Sequence, residues 1–174
     1  DAASADPAGG EVSGDCVRRG VPRIQGVHGA VLWQEGVTDW GAAMYDREKI
    51  CSTLRQTGFD ADSYWVVAGA AMVLHGVKAC TRDIDLGCSR KLADQLQRAG
   101  YSTEVYEDGS RRIQYHLDIE IFEEWRAGEL EVLDGISVVS LKGIIMMKQR
   151  LGREKDMEDI RLICKYIEMK GGSY

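Results

Sequence analysis

The sequence lacks long apolar runs and any Cys-x-x-Cys pair, and each absence excludes a class of protein. The longest apolar run, Trp65 to Leu74, is far shorter than the roughly 18 residues that a membrane-spanning helix needs. The five cysteines are an odd number without a Cys-x-x-Cys pair, which indicates neither a disulfide framework nor a zinc knuckle. We therefore expect a cytoplasmic protein with reduced thiols and no membrane partner.

Positive charge is also scarce, because 22 Lys and Arg face 28 Asp and Glu, for a formal net charge of -6. This balance disfavours a protein whose main task is to neutralise nucleic-acid phosphates without a cation. It is compatible with a small basic pocket or with a phosphate bridged by a metal ion. The length of 174 residues and the 44% of hydrophobic residues are typical of one soluble domain.

The chain divides near Met44. Residues 1–43 hold 8 of the 20 glycines and both prolines, and they show no sustained period of 2 or 3.6. We interpret residues 1–43 as a poorly ordered N-terminal extension, in which Trp33 and Trp40 are the side chains able to dock on the rest. Residues 44–174 are predicted to form the folded domain.

Helices and strands alternate after Met44. The pattern predicts helices over 46–57, 70–75, 89–99, 140–150 and 155–169, and strands over 64–68, 82–87, 101–106, 112–122 and 130–139. Asp46 and Ser89 are the expected caps of the first and third helices. A small mixed sheet with helices packed on it and two C-terminal helices belongs to the α+β class.

Carboxylates occur at alternate positions in two of the predicted strands. Asp83 and Asp85 share one face of the strand over 82–87, while Ile84 and Leu86 lie on the other face. Like charges this close repel, and a pair of oxygen ligands at this spacing suits Mg²⁺, although a solvated strand face gives the same pattern.

The strand over 112–122 supplies further carboxylates. If Leu117, Ile119 and Ile121 form its buried face, Asp118 and Glu120 point to the side of Asp83 and Asp85. Alternation alone does not decide whether Asp118 or Glu120 completes the set.

A turn of small residues precedes the first acidic strand. Ala68 and Gly69 join the strand over 64–68 to the next helix, where small side chains let a phosphate approach the backbone amides. Tight packing of the helix on the sheet is the alternative reason for small residues there.

The residues now in hand carry a resemblance to a known family. The run VVAGAAMVLHGVKACTRDIDLGCS and the later HLDIEIF resemble the DNA polymerase beta-type nucleotidyltransferase superfamily, closest to small bacterial members. These members include lincosamide and aminoglycoside nucleotidyltransferases and the nucleotidyltransferase-like parts of toxin and antitoxin systems. The resemblance spans about residues 44–170, and it implies a polymerase beta-like fold.

The resemblance also implies the site. Asp83, Asp85 and Asp118 would be the catalytic carboxylates and would hold two Mg²⁺ ions, with Mn²⁺ as the substitute. Ala68 and Gly69 would bind the nucleotide phosphates, and the family usually has Gly where this chain has Ala68. The expected reaction moves a nucleoside monophosphate from a nucleoside triphosphate to a hydroxyl of an acceptor, which is a small molecule, a tRNA or a protein.

A basic segment near the C-terminus adds nucleotide-binding candidates. The run LKGIIMMKQRLGREKDMEDIRLI resembles the "Lys, then Arg-x-Lys-Asp" pattern of small bacterial families, which makes Lys148, Arg153 and Lys155 phosphate contacts and Asp156 a structural partner. By itself, Lys148 on an apolar stripe is expected to extend its ammonium to solvent. Ion pairs on a solvated helix are an equally good interpretation of the other charges.

The alternative function is a binding module. A catalytically silent domain of the same fold would act as the antitoxin-like half of a two-protein system, with its partner encoded in a neighbouring gene. We interpret the histidines and cysteines as structural, because their spacing supplies no nucleophile with an orienting partner.

Overall fold

A computed structural model describes residues 44–171, so the predictions for residues 1–43, Trp33 and Trp40 among them, lie outside the described part. Within that part the chain forms an α+β fold of five α-helices and one seven-stranded mixed sheet. The helices are α1 Arg47–Gln56, α2 Ala68–Leu74, α3 Arg90–Arg98, α4 Leu141–Leu151 and α5 Glu154–Met169, with a 3-10 turn at Ala61–Ser63. The strands are β1 Tyr64–Val67, β2 Ile84–Cys88, β3 Ser102–Val105, β4 Arg111–His116, β5 Ile119–Glu123, β6 Leu130–Leu133 and β7 Ile136–Val139.

The sheet places the two acidic strands side by side at its centre. Its strand order is β3-β4-β5-β2-β1-β7-β6, in which β2 runs parallel to β5 and β1 runs parallel to β7. The remaining neighbours are antiparallel. One face of β2 and β5 is apolar and buried, through Ile84, Leu86, Ile119 and Ile121. The opposite face is therefore the one that carries polar side chains.

Helix boundaries follow the capping residues that the sequence supplies. Asp46 accepts a hydrogen bond from the Lys49 amide at 2.9 Å where α1 begins, and Ser89 accepts one from the Leu92 amide at 3.4 Å where α3 begins. Gly100, with φ of 88°, follows α3 in the left-handed conformation that glycine adopts without steric cost. These contacts span only a few residues, so both predicted caps are confirmed.

Two predicted strands are in fact hairpins. Residues 112–122 break after His116 into β4 and β5, which pair with each other across the turn Leu117–Asp118. Leu117 is 72% exposed, so the prediction of a buried face that includes Leu117 is wrong. The alternation of residue types continues through a tight turn and does not reveal the reversal of direction.

The second hairpin lies within residues 130–139. The strands β6 and β7 are joined by Asp134 and Gly135, whose φ values are 52° and 78°. Positive φ at both central residues is the geometry of a type I′ turn, for which Asp-Gly is a strong sequence signal. The prediction of a single strand over 130–139 is therefore wrong. The apolar residues on either side of Asp134 and Gly135 are typical of one continuous strand, but the turn reverses the chain between them.

Two exclusions made from composition can be compared with the structure. None of the described helices is both long enough and apolar enough to cross a membrane. Cys51, Cys80 and Cys88 are free thiols.

Candidate active site

A cavity of about 540 Å³ opens on the polar face of β2 and β5, a volume in the usual range for small-molecule sites. The wall opposite the sheet comes from α4 and from the junction of α4 with α5. The sequence-predicted residues that line the cavity are Ala68, Asp83, Asp85, Lys148, Arg153 and Lys155, together with Glu120. Gly69 and Asp118 are not part of this lining.

The acidic cluster, which we define as Asp83, Asp85 and Glu120, is assembled by the register of the sheet. Asp85 lies directly across from Glu120 in the parallel pairing of β2 with β5, and Asp83 immediately precedes β2. Burial, followed by the charges of Asp83 and Glu120, raises the pKa of Asp85 from 3.8 to about 7. Burial and the two neighbouring carboxylates thus disfavour the charged form of Asp85 more than the charges of Lys155 and Lys148 favour it.

Asp118 occupies the β4–β5 turn and is engaged elsewhere. The Tyr45 hydroxyl donates a hydrogen bond to Asp118 Oδ2 at 3.3 Å, and burial together with this carboxylate raises the pKa of Tyr45. Alternation leaves the choice between Asp118 and Glu120 open, and the resemblance implies Asp118. The geometry favours Glu120, because only Glu120 lies opposite Asp85 and lines the cavity.

Sequence reasoning missed Arg112, which holds Glu120. The Arg112 guanidinium donates to both carboxylate oxygens of Glu120, with Nε at 3.2 Å from Oε2, and its Nη1 donates to Glu104 at 3.1 Å. Arg112 lies diagonally across the β4–β5 pair from Glu120, a position at which long side chains interact. Recognition of the hairpin turn would have revealed this pair.

Ala68 and Gly69, the first two residues of α2, have different surroundings. Ala68 has a φ of 50°, a left-handed conformation that costs a non-glycine residue roughly 1 kcal/mol, and its methyl group borders the cavity. Gly69 instead packs against Thr81, whose Oγ1 would lie 2.8 Å from a β-carbon at Gly69. Thr81 Oγ1 donates to Asp83 at 3.4 Å. The absence of a side chain at Gly69 thus lets Thr81 orient a carboxylate of the acidic cluster.

Lys148 does not reach solvent, and the prediction that it would is wrong. Its side chain is buried, and its ammonium donates to Asp156 at 3.2 Å and to Asp159 at 2.6 Å. Arg153 donates two further hydrogen bonds to Asp156, and Lys78 pairs with Asp159. We call these five side chains the ion-pair network.

Asp156 is fully buried within this network, as expected of a structural partner. Burial alone raises the pKa of Asp156, but the hydrogen bonds from Arg153 and Lys148 outweigh it and the pKa is lowered. A carboxylate inside the protein is tolerated here because two cations neutralise it.

Lys155 is the cation that the network leaves available. It lines the cavity, it is exposed, and it forms no ion pair with any other residue in the range 44–171. Its charge, followed by that of Lys148, acts against the rise in the pKa of Asp85. An anion in the cavity would therefore meet Lys155 and the half-exposed Arg153 on one side of the acidic cluster.

Aromatic side chains form another part of the wall, and sequence reasoning did not predict them. Phe122 follows Glu120 by two residues on β5, and its ring lies 4.7 Å from that of Trp125. Both rings and that of Tyr106 line the cavity. They come from the β3–β4 turn, from β5 and from the loop after β5, so no single segment of the sequence shows them together.

The acidic cluster provides oxygen donors for the Mg²⁺ that the resemblance implies. Asp83, Asp85 and Glu120 offer the hard oxygen ligands that Mg²⁺ prefers. Both oxygens of Glu120 are bound to Arg112, and within residues 44–171 no three Asp, Glu, His or Cys side chains stand in the arrangement of a metal centre. The chemistry of the donors fits the ion, with Asp83 and Asp85 as its ligands, because neither of them forms an ion pair within residues 44–171.

Comparison of the chain with family models, with curated proteins and with solved structures finds no match in any of the three. The resemblance to nucleotidyltransferases therefore depends on the motif residues alone.

Proposed function

We propose that this protein is a Mg²⁺-dependent nucleotidyltransferase of polymerase beta-like fold, which moves a nucleoside monophosphate from a nucleoside triphosphate to an acceptor hydroxyl. The observation that carries the proposal is the placement of Asp83, Asp85 and Glu120 in one cavity with Lys155, which is unpaired within residues 44–171. Uncompensated carboxylates beside cations suit a ligand that brings both a metal ion and phosphates. We place the reaction in the cytoplasm, where free thiols persist.

Each side chain has a separate task in this proposal. Asp83 and Asp85 would hold Mg²⁺, which supplies charge stabilisation to the transferred phosphoryl group when bound. Lys155 and Arg153 contact the triphosphate, while Lys148 orders Asp156 and Asp159 behind them. Ala68 borders the phosphates and Gly69 supports Thr81 and Asp83 from behind.

The transfer itself balances without a further reactant. The acceptor oxygen forms a bond to the α-phosphorus, the bond from that phosphorus to the bridging oxygen breaks, and pyrophosphate leaves with its electron pair. The hydroxyl proton passes to a carboxylate of the cavity, and we assign this task to Glu120 in place of Asp118, because Glu120 lines the cavity.

A second candidate is a non-catalytic, antitoxin-like binding module of a two-protein system. This candidate is favoured because Arg112 donates hydrogen bonds to both carboxylate oxygens of Glu120. These hydrogen bonds compete with the binding of a metal ion or an acceptor by Glu120. The methyl group of Ala68 beside the cavity acts in the same direction.

The test is transfer of label from radiolabelled nucleoside triphosphates, with Mg²⁺, to tRNA, cell-extract protein, lincosamides and aminoglycosides. The wild type should label one acceptor class and release pyrophosphate, and the double variant Asp83→Asn, Asp85→Asn should lose both signals. Asp62→Asn, an exposed carboxylate outside the cavity, serves as the control.

Two further variants test whether Glu120 or Asp118 acts as the third carboxylate. Glu120→Gln should lower the transfer rate more than Asp118→Asn, and the reverse order would restore the assignment implied by the resemblance. Nucleotide binding without transfer to any acceptor, by a protein that co-purifies with a partner encoded beside it, would favour the binding module.

A further inference from the structure

The aromatic part of the cavity wall lies next to the acidic cluster on the same face of the sheet. Residues two apart on a strand point to the same side, so Phe122 follows Glu120 along β5 at a spacing of roughly 6.6 Å. Gly87 lies across from Phe122, just as Asp85 lies across from Glu120. On this face of the sheet, the ring of Phe122 therefore lies next to the carboxylates of Asp85 and Glu120.

A dedicated arrangement holds these rings in place. Gly87 has no side chain, and a β-carbon there would lie 1.9 Å from Nε1 of Trp65, so the indole of Trp65 occupies that space. Its Nε1 donates to the Trp125 carbonyl at 2.8 Å, which fixes the loop after β5. The Trp125 ring then meets the Phe122 ring at 4.7 Å with an interplanar angle of 54°.

The rings remain partly open to the cavity. Phe122 and Trp125 are half-buried, and Tyr106 at the β3–β4 turn is 42% exposed. A partly exposed aromatic wall gains free energy when a flat apolar surface covers it, and stacking on any base supplies such a surface.

We propose that Phe122 and Trp125, with Tyr106, form a stacking subsite for the base of the nucleoside triphosphate. The inference rests on the proposed function, which places the triphosphate between the acidic cluster and Lys155. A ligand with anionic groups at one end and a planar ring at the other matches a cavity whose wall changes from charged to aromatic.

The polar groups beside the rings indicate little discrimination among bases. Arg111 donates to Glu123 through two nitrogens and also pairs with Asp94, while the Ser110 hydroxyl donates to Asp108 at 2.6 Å. Because these groups already satisfy one another, few remain to read the edge of a base. We therefore expect all four nucleotides to bind, with purines ahead of pyrimidines through their larger stacking area.

The experiment measures binding of ATP, GTP, CTP, UTP and inorganic tripolyphosphate by isothermal titration with Mg²⁺. Tripolyphosphate carries the charges without a base, so the wild type should bind ATP about tenfold more tightly than tripolyphosphate. Phe122→Leu should weaken ATP about fivefold and leave tripolyphosphate unchanged. Phe59→Leu is the matched control, since Phe59 contacts Tyr64 and Tyr115 away from the cavity and should change neither ligand.

Tyr106→Leu provides a second variant at an exposed position, where folding is not at risk, and should also weaken ATP selectively. Equal affinity of the wild type for ATP and tripolyphosphate, with no effect of Phe122→Leu or Tyr106→Leu on either, would overturn the stacking subsite alone. A rise in the Michaelis constant of an aromatic acceptor in Phe122→Leu, with ATP binding unchanged, would overturn it in favour of an acceptor site. Failure of the wild type to bind tripolyphosphate or any nucleotide would overturn the proposed function, and the subsite with it.

Discussion

The acidic cluster and the ion-pair network lie beside the same cavity, yet every carboxylate of the network has a cationic partner, whereas in the cluster only Glu120 has one within residues 44–171. In the network, Asp156 meets Lys148 and Arg153, and Asp159 meets Lys148 and Lys78, so the pKa of each carboxylate is lowered although burial acts in the opposite direction. In the acidic cluster the pKa of Asp85 rises to about 7, because burial and the neighbouring carboxylates outweigh the charges of Lys155 and Lys148.

This difference in charge pairing indicates a structural role for the network and, under the proposed function, a ligand-binding role for the acidic cluster. A buried charge with well-placed partners ties elements together, and the network joins α4, α5 and the segment after α2. Neighbouring like charges that lack a cationic partner, as at Asp83 and Asp85, cost stability unless a ligand supplies the missing charge.

Loss of Asp156 should destabilise the protein most. Asp156→Ala leaves the buried Lys148 with one partner fewer and removes both hydrogen bonds of Arg153, at a cost of roughly 3–5 kcal/mol in the free energy of unfolding. Urea denaturation measures the effect. Glu158→Ala, an exposed carboxylate on the same helix, should change stability by less than about 0.5 kcal/mol.

The pH dependence of the network follows from the lowered pKa values. A carboxylate whose pKa is lower in the folded state adds stability above its unfolded pKa, and this stability disappears as the pH falls through the folded value. The destabilisation caused by Asp156→Ala should therefore shrink below about pH 4. An effect of Asp156→Ala that is independent of pH would show that the ion pairs contribute little.

Removal of a charge from the acidic cluster should have the opposite sign. The folded protein retains the Asp85 proton up to about pH 7, whereas the unfolded chain releases it near 3.8, so wild-type stability from this group is present at low pH and lost as the pH rises to 7. In metal-free protein at pH 8, Asp85→Asn should raise the free energy of unfolding, on the order of 2–4 kcal/mol.

The stability difference between Asp85→Asn and the wild type should grow between pH 4 and 7 and stay level above pH 7. Asp62→Asn, exposed and outside the cluster, should show no such trend. A destabilised Asp85→Asn protein at pH 8 would mean that the carboxylate is satisfied in the fold, and the contrast between the two regions would disappear.

Backbone strain next to the acidic cluster predicts a smaller gain. Ala68→Gly relieves the left-handed conformation at φ of 50° and should stabilise the protein by up to about 1 kcal/mol. Thermal denaturation measures the gain, and Ala70→Gly, within the buried part of α2, should lower stability instead. A loss of stability in Ala68→Gly would show that the strain is compensated by contacts of the methyl group.

Arg112 offers the test with the smallest expected effect, because among residues 44–171 it is the cation that pairs directly with a member of the acidic cluster. Arg112→Gln should free Glu120 and tighten Mg²⁺ binding about two- to fivefold, as expected for a partly exposed ion pair. Isothermal titration with Mg²⁺ measures the change, with Arg150→Gln, an exposed position on α4, as the control. Weaker Mg²⁺ binding in Arg112→Gln would mean that the arginine positions Glu120 for the metal.

Much of the fold could be predicted because its signals are local. The caps at Asp46 and Ser89 act over three residues, and the alternation around Asp83 and Asp85 places Ile84 and Leu86 in the core. The α+β class and the acidic strand β2 follow from such short-range patterns. The sequence by itself therefore determined which side chains of this strand are buried and which remain available for chemistry.

Only the tertiary structure decided what surrounds those carboxylates. Pairing of β2 with β5 set Glu120 opposite Asp85, and the turn at Asp118, which alternation does not reveal, brought Arg112 onto Glu120. Burial of Lys148 depended on carboxylates 8 and 11 residues away on another helix. Residue type and period describe one segment at a time, whereas the charge balance of a site depends on which segments meet, and that is fixed by packing over the whole domain.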